Sequence, residues 1–312
     1  MHDAHPNPLR GIALKIASVI VFLVMSTCIK AAGSDIATGQ ITFYRSAFAL
    51  LPIIAYLSAT GRLFAAFHTR DFGGHIMRGF VGILAMSCGF YGLIHLPLPE
   101  AIAIGYAMPL LTVVFAALFL KETVRLYRWS AVAVGLVGVI IIVWPRLTLF
   151  SEGSVGASEA LGALAVLLSA TLGATAMVLV RKLVRSERTE TIVLYFSLSA
   201  SLFSLLSLPF GWTALSLNAF LLLAVAGICG GIAQILLTES YRHADMSTIA
   251  PFEYTSILLG TVIGYLLFDD VPTLHMLVGT LIVIAAGIFI IFREHRLGLE
   301  RRAARKAMTP QG

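Results

Sequence analysis

Two ionisable side chains stand in stretches otherwise fit for hydrocarbon, and any chemistry of this chain has to begin with them. Glu253 lies in APFEY, two residues after Pro251, within STIAPFEYTSILLGTVIGYLLF; Arg45 lies in ITFYRSAFALL. A charged group at the centre of a membrane helix costs about 2.5 to 3.5 kcal/mol to insert, less toward the interface. A partner, water or a ligand has to offset that cost. For Glu253 three readings stay open: substrate or proton binding, a structural ion pair, or snorkelling to the interface. The Arg45 guanidinium cannot be neutralised cheaply, so it must face protein, water or an anionic ligand, and the structural reading leads. Glu253 sits about six residues into its span from one side and Arg45 about seven residues in from the other. Their backbones are then about 10 Å apart along the membrane normal, which makes Arg45 the expected cationic partner.

Backbone chemistry adds further candidates. Pro109 falls mid-span and deprives the Gly105 carbonyl of its helical donor. Pro251 does the same for Ser247, although proline is equally at home in a helix's first turn. Tyr106 and Tyr254 flank these positions, and Tyr91 and Gln234 could line a path, with an interhelical hydrogen bond as their plainer role. Glu239 is spaced for a helical ion pair with Arg242 and His243. Gly260 and Gly264 form a GxxxG packing pattern, while His75 and His275 sit at span ends and read as interfacial. No metal-ligand spacing and no cofactor motif stands out. Cys28, Cys88 and Cys229 fall inside spans as packing residues, without a disulfide framework.

The elements that must position these residues follow from composition. Of 312 residues, 58% are hydrophobic and only 12% charged, about half the charged share of a soluble domain. Apolar runs long enough to cross about 30 Å of hydrocarbon recur at 11–30, 38–58, 75–95, 99–119, 128–147, 160–180, 191–210, 218–240, 247–268 and 273–292. They are continuously apolar, without the alternation of membrane strands, so the expected fold is an all-α bundle of ten transmembrane helices. Span 1 exceeds the apolar core of a signal peptide. All of the 22 Lys and Arg except Lys30, Arg45 and Arg146 fall in or beside the N-terminus, the loops after spans 2, 4, 6 and 8, and the C-terminus. The positive-inside rule therefore puts both termini in the cytoplasm. The net charge of +6 reflects topology and implies no nucleic-acid partner. The basic tail 294–312 is solvated or rests on anionic lipid headgroups.

The chain also repeats itself. A shift of 148 positions lays Gly79 and Gly82 on Gly227 and Gly230, Tyr106 on Tyr254, and Glu122 on Asp270; upstream the register drifts by three, so that ITFYRS at 41–46 meets IVLYFS at 192–197. Each copy holds five spans, an odd number, so the second enters the membrane from the opposite side. The expected organisation is a first repeat at 11–147, an external Gly/Ser-rich linker at 148–159, and a second repeat at 160–293. Inverted repeats are a physical route to alternating access around a site near the midplane.

The segments LPLPEAIAIGYAMPLLTVVFAALFLKE (96–122) and ADMSTIAPFEYTSILLGTVIGYLLFDDVPT (244–273), together with CIKAAG…ITFYRS, resemble the EamA-type members of the drug/metabolite transporter superfamily. Where such relatives often have Gly, this chain has Ala131, and span 9 closes on Asp269 and Asp270. The resemblance implies a multi-pass plasma-membrane protein, in a bacterium the inner membrane, that transports a small polar or amphipathic metabolite. Amino-acid-like, vitamin and nucleoside-like substrates are all admitted, as are export and uptake. No nucleotide-binding G-x-x-x-x-G-K-[ST] loop is present, so coupling to a proton or ion gradient, or exchange, is expected. A passive channel or facilitator is the alternative. An intramembrane lipid-modifying enzyme lacks H-E-x-x-H and G-x-S-x-G, and the chain is not expected to be an enzyme. The GxxxG pattern does not fix an oligomeric state.

Overall fold

The computed structural model describes residues 8–121, 124–148, 154–184, 186–244 and 246–308. All secondary structure among them is helical. Helices satisfy their own backbone groups, which hydrocarbon cannot do for them. Ten are long and apolar enough to cross a bilayer: span 1 (Pro8–Ala32), span 2 (Thr38–Ala59), span 3 (Phe72–His95), span 4 (Leu98–Phe119), span 5 (Leu126–Thr148), span 6 (Ala157–Leu183), span 7 (Thr189–Ser207), span 8 (Leu217–Tyr241), span 9 (Ala250–Phe268) and span 10 (Leu274–Arg293). The chain is an integral, multi-pass membrane protein. An even number of spans puts both chain ends at one end of the bundle, here called the basic end.

Spans 4 and 9 are interrupted, and span 7 closes on a 3-10 turn, Leu205–Ser207. Span 4 breaks at Tyr106, between Leu98–Gly105 and Ala107–Phe119. Span 9 follows a short helix, Met246–Ile249, starts as a 3-10 turn over Ala250–Tyr254 and becomes regular only from Thr255. The irregular first turns fall where Pro251 supplies no N–H, as the sequence implies. Spans 4 and 9 also end alike, on the left-handed residues Lys121 (φ 52°) and Asp269 (φ 54°). These two positions coincide under the 148-residue overlay. Beyond Asp269, the Asp270 N–H closes onto the Gly264 carbonyl at 3.0 Å. Glu122, the counterpart of Asp270, lies outside the described residues.

Helix extends beyond two of the apolar runs. Helix resumes at Ser154, so the latter part of the 148–159 linker is the first turns of the sixth helix, and 149–153 lie outside the described residues. The tail continues span 10 as helix to Met308, as its Arg, Ala, Glu and Leu content favours.

Packing carries the same two-fold logic. Span 1 packs on span 8 as span 6 packs on span 3, and the self-equivalent pairs 2 with 7, 4 with 9 and 5 with 10 meet across the halves. Glycines show the equivalence at atomic scale. A Cβ on Gly79 would meet Ser199 Cβ of span 7 at 2.5 Å; one on Gly227 would meet Phe48 Cβ of span 2 at 2.5 Å. Similarly, Gly82 faces Phe196 at 2.7 Å and Gly230 faces the Arg45 guanidinium at 2.9 Å. Ser199 overlays Phe48 and Phe196 overlays Arg45 in the upstream register. Each glycine admits close helix approach, the main source of cohesion where hydrophobic driving force between helices is absent.

At the basic end the halves are tied by Glu187, between spans 6 and 7. Its side chain is only 3% exposed. Oε1 accepts from the N–H groups of Arg70 (2.6 Å) and Asp71 (2.7 Å) and from the Thr69 hydroxyl (2.9 Å), all between spans 2 and 3. His75, stacked on Tyr195 at 4.7 Å, places Nε2 4.0 Å from Oε2. Asp71 in turn caps span 3 by accepting from Gly74 N–H at 2.8 Å. Burial acts to raise the Glu187 carboxyl, but the Arg70, Asp71 and Thr69 hydrogen bonds, with His75, together outweigh it and hold it below the ordinary 4.5. A carboxylate depressed in the folded state adds stability that is complete above its ordinary value and is lost as pH falls through the depressed one. The thermal midpoint of detergent-solubilised protein is therefore expected to fall as pH drops below 4.5, and Glu187→Gln is expected to lower the midpoint at neutral pH while flattening that acid limb.

Candidate functional site

The two helix breaks meet. Tyr106, at the break in span 4, donates its hydroxyl to the Glu253 carbonyl at 2.9 Å and shares a 2.5 Å hydrogen bond with Ser256 Oγ. Ser256 Oγ also reaches the Glu253 carbonyl at 2.9 Å. The Tyr106 and Tyr254 rings lie 5.0 Å apart and tilted, and the Tyr254 hydroxyl presses against Gly287 of span 10. A side chain of one half thus bonds a backbone carbonyl of the other, at the end of the 3-10 turn. Beside the first break, a Cβ on Gly105 would meet nothing within 4 Å, so open space adjoins the position equivalent to Glu253.

The partner of Glu253 is Lys15 of span 1, not Arg45. Lys15 Nζ donates directly to Glu253 Oε2; the Lys15 side chain is 4% exposed and that of Glu253 47%. The expected Arg45 pair is corrected by depth. Arg45 Nε contacts Met25 Sδ at 3.5 Å, and Met25 lies ten residues beyond Lys15 on the same helix, about 15 Å along its axis. The two acceptor sites are too far apart for one ion pair. Arg45 is buried between spans 1, 2 and 8 and makes no salt bridge to a described carboxylate. In sequence Lys15 reads as part of the basic N-terminus. Its place well inside an apolar helix was the available signal.

The other expected residues scatter. Tyr254 and Pro251 belong to the meeting of the breaks with Tyr106 and Glu253. Pro109 is exposed on the bundle surface. Tyr91 stacks on His95 at 4.1 Å toward the far end of span 3, away from Glu253. Gln234 lines a cleft of about 410 Å³ between spans 2, 7 and 8 at the basic end, with Tyr56, Glu190, Thr238, Glu239 and Tyr241. Glu239 accepts from the Tyr56 hydroxyl at 2.6 Å; the Arg242 side chain lies outside the described residues. Gly260 and Gly264 seat span 9 on Ile102 and Pro99 of span 4. His75 is buried in the Glu187 tie and His275 is exposed.

Charges not among the expected site residues tie the halves at the opposite end. Arg146 of span 5 binds Glu100 of span 4 through two hydrogen bonds, 2.7 and 2.8 Å, and also Glu159 of the sixth helix. Lys30 of span 1 lies 3.5 Å from Asp270, donates to the Leu96 carbonyl at 2.5 Å and sits over the Phe268 ring at 5.2 Å. Asp270 Oδ2 also accepts from Leu98 N–H at 2.8 Å. Lys30 and Arg146 are the two loop-side exceptions to the charge asymmetry, and these ties account for them.

Ten spans in two interlocked, oppositely oriented halves, with broken helices facing each other, define a membrane protein of the inverted-repeat transporter class. A model described as "EamA-like transporter family" matches residues 9–144 and 160–293, and the chain belongs to that family. A model of solute carrier family 35 matches 100–210. Similar curated proteins include the pseudopaline exporter CntI of Pseudomonas aeruginosa, 29% identical over 89% of this chain and 94% of that one. The S-adenosylmethionine uptake transporter of Rickettsia prowazekii is 26% identical over 95% and 97%, and the riboflavin transporter of Vibrio cholerae 26% over 91% and 93%. A solved crystal structure shares the fold with a TM-score of 0.64 at 18% identity, covering 92% of this chain and 98% of its own.

Because Lys15 is the more buried partner, Glu253→Leu should destabilise more than Lys15→Met: it leaves an ammonium without an acceptor, whereas the half-exposed carboxylate can rehydrate. A thermal-unfolding double-mutant cycle is expected to return a favourable coupling of about 0.5 to 3 kcal/mol.

Proposed function

We propose that this chain is a secondary active transporter of a small polar or amphipathic metabolite, amino-acid-like, vitamin or nucleoside-like, working by alternating access between repeats 11–147 and 160–293. Both termini face the cytoplasm. The observation that carries this reading is the meeting of the two helix breaks beside the Lys15–Glu253 pair, with separate charged ties at the two ends of the bundle. Such ties can be made and broken alternately while the central contact persists. Relatives named for pseudopaline, S-adenosylmethionine and riboflavin support a metabolite as cargo, and they include both export and uptake.

Glu253 is the coupling residue of this reading. Lys15 neutralises it at rest. A proton taken up by Glu253, or a ligand reaching it, releases Lys15 and removes one restraint between spans 1 and 9. Tyr106 and Tyr254 line the same place, and Arg45, about 15 Å deeper along span 1, serves an anionic group of the cargo or the packing of spans 1, 2 and 8.

Proteoliposome counterflow of the leading compound from metabolite profiling of cells with and without the protein tests the proposal. The expected outcome is saturable exchange, and accumulation against a gradient when a proton gradient is imposed; equilibration alone would indicate a passive facilitator. Glu253→Gln keeps an acceptor for Lys15, so the variant is expected to fold and exchange but to lose pH dependence. An unaltered pH profile would remove Glu253 from coupling. Accessibility labelling should place both chain ends on the cytoplasmic side.

A further inference from the structure

The two-fold that pairs span 3 with span 8 also pairs two guanidiniums that take no part in the ties at the bundle ends. Gly82, midway along span 3, and Gly230, midway along span 8, occupy equivalent positions in the repeat. A Cβ on Gly82 would collide with the Arg78 guanidinium; one on Gly230 would come within 2.9 Å of the Arg45 guanidinium. The two arginines are not themselves equivalent. Arg78 is carried by span 3 and lies over the Phe196 ring of span 7 at 4.2 Å. Arg45 is carried by span 2, at the position that Phe196 holds in span 7, and the counterpart of Arg78 is Ala226. The contact of span 3 with span 7 and that of span 8 with span 2 thus share one plan, and each receives a guanidinium from a different one of its two helices.

They reach the middle of the bundle from opposite ends. Arg78 stands about one turn nearer the basic end than Gly82 on the same helix. A Cβ on Gly227 would meet the Arg45 carbonyl at 2.8 Å, so the Arg45 backbone is level with Gly227, about one turn from Gly230 toward the far end. Neither guanidinium has an oxygen acceptor among the described residues. Arg45 Nε has the Met25 sulfur, a weak acceptor, at 3.5 Å. Arg78 Nε and Nη1 are sealed from solvent without a hydrogen-bond partner, and Phe196 offers them a ring face but no oxygen. No described carboxylate pairs with either, in contrast to Lys15, Lys30, Arg62 and Arg146. A guanidinium keeps its charge in any surroundings, and a buried charge without a counter-ion is costly. Two such charges at equivalent glycines midway through membrane spans call for an anion from outside the chain. The planar fork of N–H groups matches a carboxylate. One guanidinium also offsets the single charge of a carboxylate, whereas a phosphate monoester, at about −1.5 to −2 near neutral pH, would stay under-neutralised at either arginine.

We infer that Arg78 and Arg45 are two stations for a carboxylate group of the cargo, Arg78 on the path from the basic end and Arg45 on the path from the opposite end. The inference rests on the transport function proposed above and narrows its cargo to carboxylate-bearing metabolites. Exchange of conformation between the halves then passes the carboxylate from one guanidinium to the other near the midplane, where inverted-repeat transporters hold their substrates.

Isothermal titration of the purified full chain in detergent with benzoate, its neutral amide benzamide, and phenyl phosphate tests the site. The expected result is saturable binding of benzoate, no binding of benzamide, phenyl phosphate at least tenfold weaker than benzoate, and at least a tenfold loss of benzoate affinity in the double variant Arg45→Met with Arg78→Met. Equal binding of benzoate and either other probe, binding of none, or unchanged benzoate affinity in the double variant overturns the proposal. Because an unpaired buried charge destabilises the protein that carries it, the double variant without ligand is expected to melt no lower than the unaltered chain, and to lose the rise in midpoint that benzoate gives. A lowered midpoint without ligand would assign the two guanidiniums to packing and overturn the proposal. Each single variant is expected to slow counterflow of a carboxylate-bearing metabolite at least tenfold; exchange unaffected by either would overturn the two-station assignment. Exchange confined to metabolites without a carboxylate would remove both stations and leave a transporter. Benzoate binding that is lost in the double variant, in a protein that exchanges no metabolite, would leave a carboxylate site and remove the transport reading.

Discussion

A backbone group freed from its helix inside a bilayer has no water to turn to, and must be met by protein or by a wet cavity. That constraint organises the centre of this molecule. Pro251 and the 3-10 turn around it loosen span 9, the break at Tyr106 loosens span 4, and the Tyr106 hydroxyl answers the Glu253 carbonyl across the boundary between the halves. Spans 4 and 9 must therefore lie side by side. Gly260 and Gly264 make the approach possible, and the outer spans follow in two-fold order.

Around this contact the electrostatics are divided by depth. Lys15 and Glu253 meet on the basic side of the centre, and Arg45 of span 2 lies deeper, against Met25 of span 1, without a described carboxylate. The ends of the bundle are tied differently: Glu187 gathers backbone N–H groups at one, while Arg146 and Lys30 bridge carboxylates at the other. Buried ion pairs recover much of their desolvation cost only when both partners are present, so each tie is sensitive to loss of either side.

The ten spans and their inverted relation were legible because continuous apolar runs, charge asymmetry and the Gly79/Gly227 overlay all reflect one-dimensional patterns. Tyr106, Glu253 and Tyr254 were legible for a different reason: polar groups beside prolines stand out against hydrocarbon. Lys15 was obscured by the very rule that gave the topology, since a basic residue near a basic terminus looks like an orientation signal. Pairing across the halves was harder still. Choosing Lys15 over Arg45 requires the rotation and depth of span 1 against span 9, which no spacing within one helix encodes.

The paired left-handed residues at Lys121 and Asp269 show how closely the two backbones copy one another, yet the side chains that fasten the two ends do not. In the alternating-access reading proposed above, unequal ties give the two states unequal free energies, which sets how long each is occupied; the direction of net flow comes from the gradients alone.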